Sequence, residues 1–593
     1  MTQETRTCQN CKNPFQIDPE DFAFYEKIKV PPPTFCPQCR MQRRMVWRND
    51  KTLYIRKDDH TGKDIFSMFS DTAPITVWDH VEWWSDSWDA MEYGKDIDWS
   101  RPFLEQVKEL IREVPWASRA VHNLVRSDYC NNASDLKDCY LVFGSVLVEN
   151  SAYCLNISHS KDCFDCGYVG NGELSYEGFL NLHCYRAIFS SHCASSNDIL
   201  FCRDCIGVSN CFGCVGLRGK SYYIFNEPYS KEKYEEKVKS FDLASHKKLQ
   251  EMKERVRQFW LRYPVRYVHE YHNVNTTGEY IYESRNVKDS FHIKGGENLR
   301  YCQYLYTPTC RDSYDHFRYG LNSELVYESV VCGDNASQLR FCYDCRLSCL
   351  DFQYCLNSYF SSYLFGCVGI RSKSYCILNT QYSKEEYEAL VPKIIAHMNA
   401  MPYTDRNGRV YRYGEFFPPE FSPFAYNETV AHDHFPLTQE EARAAGYEWK
   451  EAEKKNHSAT RDAKNLPDRI ADVSDDVLKD TIACVHNRTC GEQCTVAFRL
   501  IPTELTFYRK MNLPLPRLCP NCRHAARIQQ RNPIQLWQRT CQCAGAASEN
   551  GVYQNQVLHS HGATPCQNEF ETSYAPGRQD IVYCKSCYQN EIT

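Results

Sequence analysis

Between residues 122 and 381 the chain alternates brief strand-prone runs with Ser, Asn, Asp or Gly. Its units read "KDCYLVFG", "SAYCLN", "KDCFDC", "LHCYRAIF" and "NCFGC". Each is too short for a helix and bounded by turn formers, which predicts short strands at regular spacing. Units of the KDC type recur at Cys139, Cys163, Cys184 and Cys205, about two dozen residues apart. A coil-length period with turn signals predicts a β-solenoid in which like side chains stack rung on rung. A β-sandwich is the rival, and the spacing is irregular.

Helical periodicity interrupts this pattern. "SRPFLEQVKELIREVP" (100–115) sets Leu104, Val107, Leu110, Ile111 and Val114 on one stripe, with Ser100 as the expected N-cap. "YSKEKYEEKVKSFDLASHKKLQEMKERVRQFW" (229–260) and "YSKEEYEALVPKIIAHM" (382–398) both open on a Ser N-cap. A Pro- and aromatic-rich connector follows at 402–437, then the capping box of Thr438 with Glu441. The charged segment 448–468 reads as an exposed linker.

Two duplications are nested in the chain. "CFGCVGLRGKSYYIFNEPYSKEKYEE" (211–236) matches "LFGCVGIRSKSYCILNTQYSKEEYEA" (364–389) at an offset of 153 residues. Upstream, "KDCFDCGYVGNGELSYEG" (161–178) runs against "RDSYDHFRYGLNSELVYES" (311–329), so Cys163 and Cys166 face Ser313 and His316. The outer duplication pairs the two ends. Cys11 and Cys36 are 25 positions apart, as are Cys494 and Cys519. Between them "FQIDPEDFAFYEKIKVPPPTFCPQCR" parallels "FRLIPTELTFYRKMNLPLPRLCPNCR". The chain is therefore expected to be multidomain and mainly β: a Cys/Tyr-rich solenoid in two halves, with inserted helices, flanked by two zinc modules of treble-clef or zinc-ribbon type. The segments are 1–99 (N-terminal zinc module), 100–121 (amphipathic helix connector), 122–228 (first repeat half), 229–263 (helix), 264–381 (second repeat half), 382–470 (helix and connector) and 471–593 (C-terminal module with a second zinc site).

Composition sharpens this. The chain has 593 residues, a net charge of −6 and 34 cysteines. Its opening, "MTQETRTCQNC", does not read as a secretory leader, and no apolar run approaches the ~20 residues of a membrane helix. A cytoplasmic location without a membrane partner is expected, and there metal ligation and reduced buried thiols account for cysteine better than disulfides do.

Cys8-x2-Cys11 with Cys36-x2-Cys39 supplies the four thiolates that a tetrahedral Zn2+ prefers, the second pair leading into a helix. In the C-terminal copy Cys494, Cys519 and Cys522 align with three of these. Gly491 stands where Cys8 would, so Cys490 is the expected fourth ligand and Cys484 the reserve. A third site is expected from Cys566, Cys584 and Cys587 with Cys543 or Cys541, giving about three zinc ions per chain. The N-terminal counterpart of that third site has Thr61, Asp79 and Glu82 at the cysteine positions, with Trp78, Trp83, Trp84 and Trp88 to pack it instead. The central Cys pairs dissolve between the repeat halves while aromatic and glycine positions persist, which reads as packing; Cys202 and Cys205, retained as Cys342 and Cys345, are the exception.

Arg40, Arg44 and Arg48 lie on one helix face, as do Arg523, Arg527 and Arg531. Like charges on one face repel, and the phosphate backbone of RNA or DNA is the partner that would offset them. The competing reading folds carboxylates such as Glu26 or Asp50 over the rows. Enzyme readings each lack a part: the recurring aspartates sit at the same place in each unit where a catalytic pair would be unique, and no phosphate-cradling glycine loop occurs. The functional expectations are a non-catalytic zinc protein on a nucleic-acid backbone, a zinc-stapled scaffold for protein partners, or a metal-dependent nucleic-acid-processing enzyme.

The two end modules, "CQNCKNPF…FYEKIKVPPPTFCPQCR" and "CTVAFRLIPTELTFYRKMNLPLPRLCPNCR", resemble the probable zinc-ribbon (treble-clef) domain of bacteria. With "FNEPYSKEKYEE", "YGEFFPPEFSPFAYNET" and "NEFETSYAP", most of the chain resembles a large bacterial family of such proteins. The resemblance implies zinc binding by Cys8, Cys11, Cys36, Cys39, Cys494, Cys519 and Cys522.

Overall fold

The computed structural model describes residues 2–451, 458–487, 489–490, 493–546 and 551–592. Part of the expected linker (452–457) and Gly491 therefore lie outside the described residues. The fold is mainly β, with a solenoid of about 21 turns at residues 121–377. Contacts gather the chain into two compact units. One holds Met1–Arg119 and Val268–Lys450, the other Ala120–Tyr267, Glu451–Pro533 and Trp537–Thr593. Each unit thus joins one solenoid half to the zinc-module candidate from the far side of the sequence.

The coil length is set by the parallel ladder. Val146 pairs with Ser134 before it and Ser158 after it, a step of 12 residues. The same step persists along the first half, where Asn197 pairs with Tyr185 and Ser209. In the second half the step varies: 12 from Arg285 to Glu297, 14 from Gly296 to Cys310 and 13 from Cys310 to Ser323. The irregular spacing of the KDC units has another source: Cys139, Cys163, Cys184 and Cys205 are 24, 21 and 21 residues apart, so they fall on different sides of a constant 12-residue coil.

Within each coil the chain turns every third residue. Asp162, Asp165, Tyr168, Asn171 and Leu174 all have φ near +50°, and the series continues along the half. Asn, Asp and Gly tolerate this conformation best, which accounts for their recurrence between the strand-prone runs. The residue after each left-handed position points into the coil. The inward set from Ser151 on is Ser151, Cys154, Ile157, Ser160, Cys163 and Cys166, all buried.

A three-residue side leaves a narrow lumen, so mostly small side chains fill it. That is why the middle of the chain is rich in cysteine. Cys202, Cys205, Cys342 and Cys345 belong to this lumen and are fully buried. The Cys202 thiol donates to the carbonyls of Leu200 and Cys211, and that of Cys345 to those of Tyr343 and Cys355. Lumen serines bridge successive coils: the Ser151 hydroxyl donates to the Glu149 carbonyl at 2.8 Å and accepts from the Cys163 amide at 3.0 Å. Burial pushes the Cys139 and Cys310 thiols up to about 11, which keeps them protonated at neutral pH.

Each half ends in the same way. Ser221–Ile224 folds back on Glu227–Pro228 and Ser374–Ile377 on Thr380–Gln381, closing the open edge with an antiparallel pair. Asn226 and Asn379, both left-handed, satisfy the amide and carbonyl of Val215 and Val368 through their side-chain amides. Helices follow with the expected Ser230 and Ser383 caps. The long helix expected at 229–260 is two, Lys231–Ser240 and His246–Trp260. The break comes at Asp242, whose left-handed backbone ends the first, while Ser245 caps the second. The stripe helix is Phe103–Glu113, and its N-cap is Pro102 rather than Ser100, whose hydroxyl donates to Asp98 instead. Its expected apolar stripe is buried throughout. Thr438 and Glu441 form their capping box.

Candidate metal centres and their arginine seats

Three groups of four cysteines could each hold a metal ion: Cys8, Cys11, Cys36 and Cys39; Cys484, Cys494, Cys519 and Cys522; Cys541, Cys566, Cys584 and Cys587. Within each the ligand atoms lie within 4.8 Å of one another. Cys11 and Cys36 are 3.8 Å apart, Cys494 and Cys519 3.9 Å, and Cys566 and Cys584 4.0 Å, sulfur to sulfur. A tetrahedron of metal–thiolate bonds of ~2.3 Å has edges of about 3.8 Å, so the sulfurs already stand near its corners. They are far outside the ~2.05 Å of a disulfide.

One local design serves all three groups. The third cysteine of each opens a helix: Pro37–Met45 after Cys36, Pro520–Ile528 after Cys519, Lys585–Ile592 after Cys584. Its amide donates to the sulfur of the first cysteine, at 3.2 Å for Cys36 to Cys8, 3.3 Å for Cys519 to Cys484 and 3.2 Å for Cys584 to Cys541. Amide hydrogen bonds and a helix N-terminus both favour thiolate over thiol. Between the paired sulfurs one thiol is favoured as thiolate at the other's expense. The hydrogen bond from Cys484 brings Cys519 down to about 4 and that from Cys541 brings Cys584 down to about 3, with Cys484 and Cys541 raised. In the first group, by contrast, Cys8 is lowered and Cys36 raised to about 11.

The repeated amide contact identifies Cys484 as the counterpart of Cys8. The reserve ligand, and not Cys490, completes the second group. Cys484 is placed by the short strand Ile482–Ala483, which pairs with Ala497–Phe498 and thereby brings Cys484 and Cys494 together across ten residues. Cys490 stands beside the group, 3.6 Å from Cys522, in a set of three with His486. In the third group Cys541 takes the fourth corner, and Cys543 belongs to a neighbouring set with His559, His561 and Cys587. In the N-terminal counterpart of that group, the Asp79 side chain caps the helix His80–Trp83 by accepting from the Val81 amide. Trp83 and Trp88 are buried there and pack on each other, whereas Trp84 is partly exposed.

The helices end at Met45 and Ile528, so Arg48 and Arg531 lie beyond the expected helix faces, and the arginines run inward. In the first unit Arg40 and Arg44 both reach Asp315, Nη2 to Oδ2 at 2.9 Å and Nη1 to Oδ1 at 2.8 Å. Arg43, absent from the expected row, pairs with Glu328 at 2.9 Å and Glu415 at 3.1 Å. Arg48 pairs with Asp50 at 2.7 Å, one of the two carboxylates considered from sequence. In the second unit Asp165 receives Arg523 on one oxygen and Arg527 on the other, the latter at 2.7 Å, and Glu504 accepts from Arg523 at 3.1 Å. Arg531 donates to the Tyr168 hydroxyl at 3.1 Å.

These seats are buried and matched in charge. Arg40, Arg43 and Arg44 meet Asp315, Glu328 and Glu415, all buried; Arg523 and Arg527 meet Asp165 and Glu504. Burial opposes charge on Arg40, but the Asp315 and Glu328 carboxylates beside it favour the charged form, and its pKa rises. Burial raises Glu328 and Glu504 despite the arginines beside them. Matching of opposite charges is what makes such an interior tolerable.

The two seats are copies of one another. Asp165 and Asp315 occupy matched positions in the repeat halves, as Arg523 and Arg40 do in the end modules. The aromatic contact beside them repeats as well: Phe24 stacks on Tyr314 with centroids 3.9 Å apart, and Phe507 on Phe164 at 4.2 Å. Sequence reasoning missed His559 and His561, although an HSH triplet between a CQC and a CKSC was a readable ligand signal. It missed the seats because the aspartates at their centres lie far along the chain, 275 residues from Arg40 for Asp315 and 358 from Arg523 for Asp165.

Among the described residues no helix is long and apolar enough to cross a membrane. No protein-family model matches the chain, and no curated protein matches it.

Proposed function

We propose that the protein is a zinc-stapled, non-catalytic scaffold for protein partners. Zinc fixes each end module, and the module's arginine row clamps a solenoid half. Tetrathiolate groups with edges of 3.8 to 4.0 Å support zinc over harder cations, which prefer oxygen donors. One observation carries the choice of partner class: the guanidinium groups of Arg40, Arg44, Arg523 and Arg527 are spent on buried carboxylates. The phosphate-binding expectation rested on those rows, and an overall charge of −6 adds nothing to it. A rigid coil anchored at one end by a metal knuckle instead suits the display of a long surface to other proteins.

The test is titration of generic single-stranded RNA and duplex DNA against zinc-loaded protein at rising salt. Absence of salt-steep binding, with zinc retained, supports the scaffold. Binding that falls off along a slope of several counterions would restore the nucleic-acid reading.

A further inference from the structure

Beside the third tetrathiolate group, the set of Cys543, His559, His561 and Cys587 offers two sulfurs and two nitrogens within 4.8 Å of one another. Cys543 Sγ is 3.3 Å from His559 Nδ1 and 3.5 Å from His561 Nε2, and Cys587 Sγ is 3.3 Å from His561 Nε2. A sulfur–nitrogen edge of a tetrahedral zinc site is about 3.5 Å, from bonds of ~2.3 and ~2.05 Å. Both imidazoles are held with the required nitrogen inward. His559 Nε2 donates to Glu591 at 2.8 Å, leaving Nδ1 bare toward Cys543. His561 Nδ1 donates to the Thr564 carbonyl at 2.6 Å, leaving Nε2 bare toward both sulfurs.

The support extends one layer further out. Glu591 is itself fixed by the Tyr553 hydroxyl at 2.6 Å and the Gln556 amide at 2.9 Å. Asn555 donates to Cys543 Sγ at 3.1 Å. Carboxylate-bound histidine beside a hydrogen-bonded thiolate is how metal ligands are oriented. A cysteine nucleophile activated by His559 and Glu591 is the competing chemistry. It fits poorly, because Cys543 is fully buried and two imidazole lone pairs converge on it.

We propose that this set binds a fourth metal ion, a zinc with two sulfur and two nitrogen ligands, and that Cys587 bridges it to the zinc of the neighbouring tetrathiolate group. The C-terminal module then carries a two-metal cluster built from Cys541, Cys566, Cys584 and Cys587 on one side and Cys543, His559 and His561 on the other. The inference rests on the zinc reading of the tetrathiolate group, because one sulfur is shared.

The experiment is zinc quantification on the reduced full chain as wild type, His561→Ala and Cys543→Ser. Each variant is expected to hold one ion fewer than wild type and to retain the rest. Variants that hold as many ions as wild type would overturn the fourth site, whereas a wild type without zinc would overturn the tetrathiolate reading itself. Should either variant fail to fold, X-ray absorption at the zinc edge of wild type decides. Imidazole scattering from two nitrogens among the bound ions is expected, and an all-sulfur shell overturns the proposal.

Discussion

Asp315 holds Arg40 with one carboxylate oxygen at 2.9 Å and Arg44 with the other at 2.8 Å, all three side chains shut away from water. Asp165 holds Arg523 and Arg527 in the same way. Removing such an acid leaves two buried guanidinium groups sharing the one carboxylate that remains beside them, Glu328 in the first unit and Glu504 in the second. Asp315→Asn and Asp165→Asn are therefore each expected to destabilise their unit by ~3–5 kcal/mol. Denaturant unfolding followed by fluorescence checks this. The exposed pair of Asp138 with Arg126 is the control, and Asp138→Asn should leave the transition where it is.

The lumen predicts a size rule. Ser313 stands in the second half where Cys163 stands in the first, so a serine fits this kind of position. Cys163→Ser should fold with a small loss of stability, while Cys163→Leu should overpack the coil and cost ~1–3 kcal/mol. Thermal unfolding of the two variants against wild type would show the order reversed if the lumen were roomy.

Alkaline pH should weaken the solenoid. Burial moves Cys139 and Cys310 from an ordinary 9.0 to about 11 in the folded state. Between those values the folded chain keeps protons that the unfolded chain has lost, so stability falls as pH rises. Each such thiol contributes up to ~1.4 kcal/mol per pH unit across that window. Urea midpoints measured from pH 8 to pH 11 should decline, and midpoints that rise would contradict the assignment.

Much of this was legible in the sequence because its carriers are local. The Cys-x2-Cys spacing and the Ser230 and Ser383 caps act over a dozen or two residues, and the recurring KDC units pointed to a solenoid, although their spacing of 24 and 21 residues did not give its 12-residue coil. Two nested duplications could also be read directly. What could not be read is which end meets which half. Asp165 looked like one of many turn aspartates, and only the fold brings it to Arg523, 358 residues away. Cys484 was passed over for a related reason: a strand pairing, invisible in spacing, closes the ten residues between it and Cys494. The arginine rows were recognised as a cost needing an anion, and the anion proved to be the chain's own.

Zinc removal should act on the modules first. Chelation is expected to free the helices Pro37–Met45 and Pro520–Ile528, exposing their arginines, before the solenoid ladder opens. Hydrogen exchange resolved by segment would detect this, and uniform loss of protection would argue against separately stapled modules.

The most direct measurement is elemental analysis of carefully reduced, full-length protein. The three tetrathiolate groups predict at least three tightly held zinc ions per chain, lost one at a time in Cys36→Ala, Cys519→Ala and Cys584→Ala. Protein that folds and carries no tightly bound metal would contradict the account.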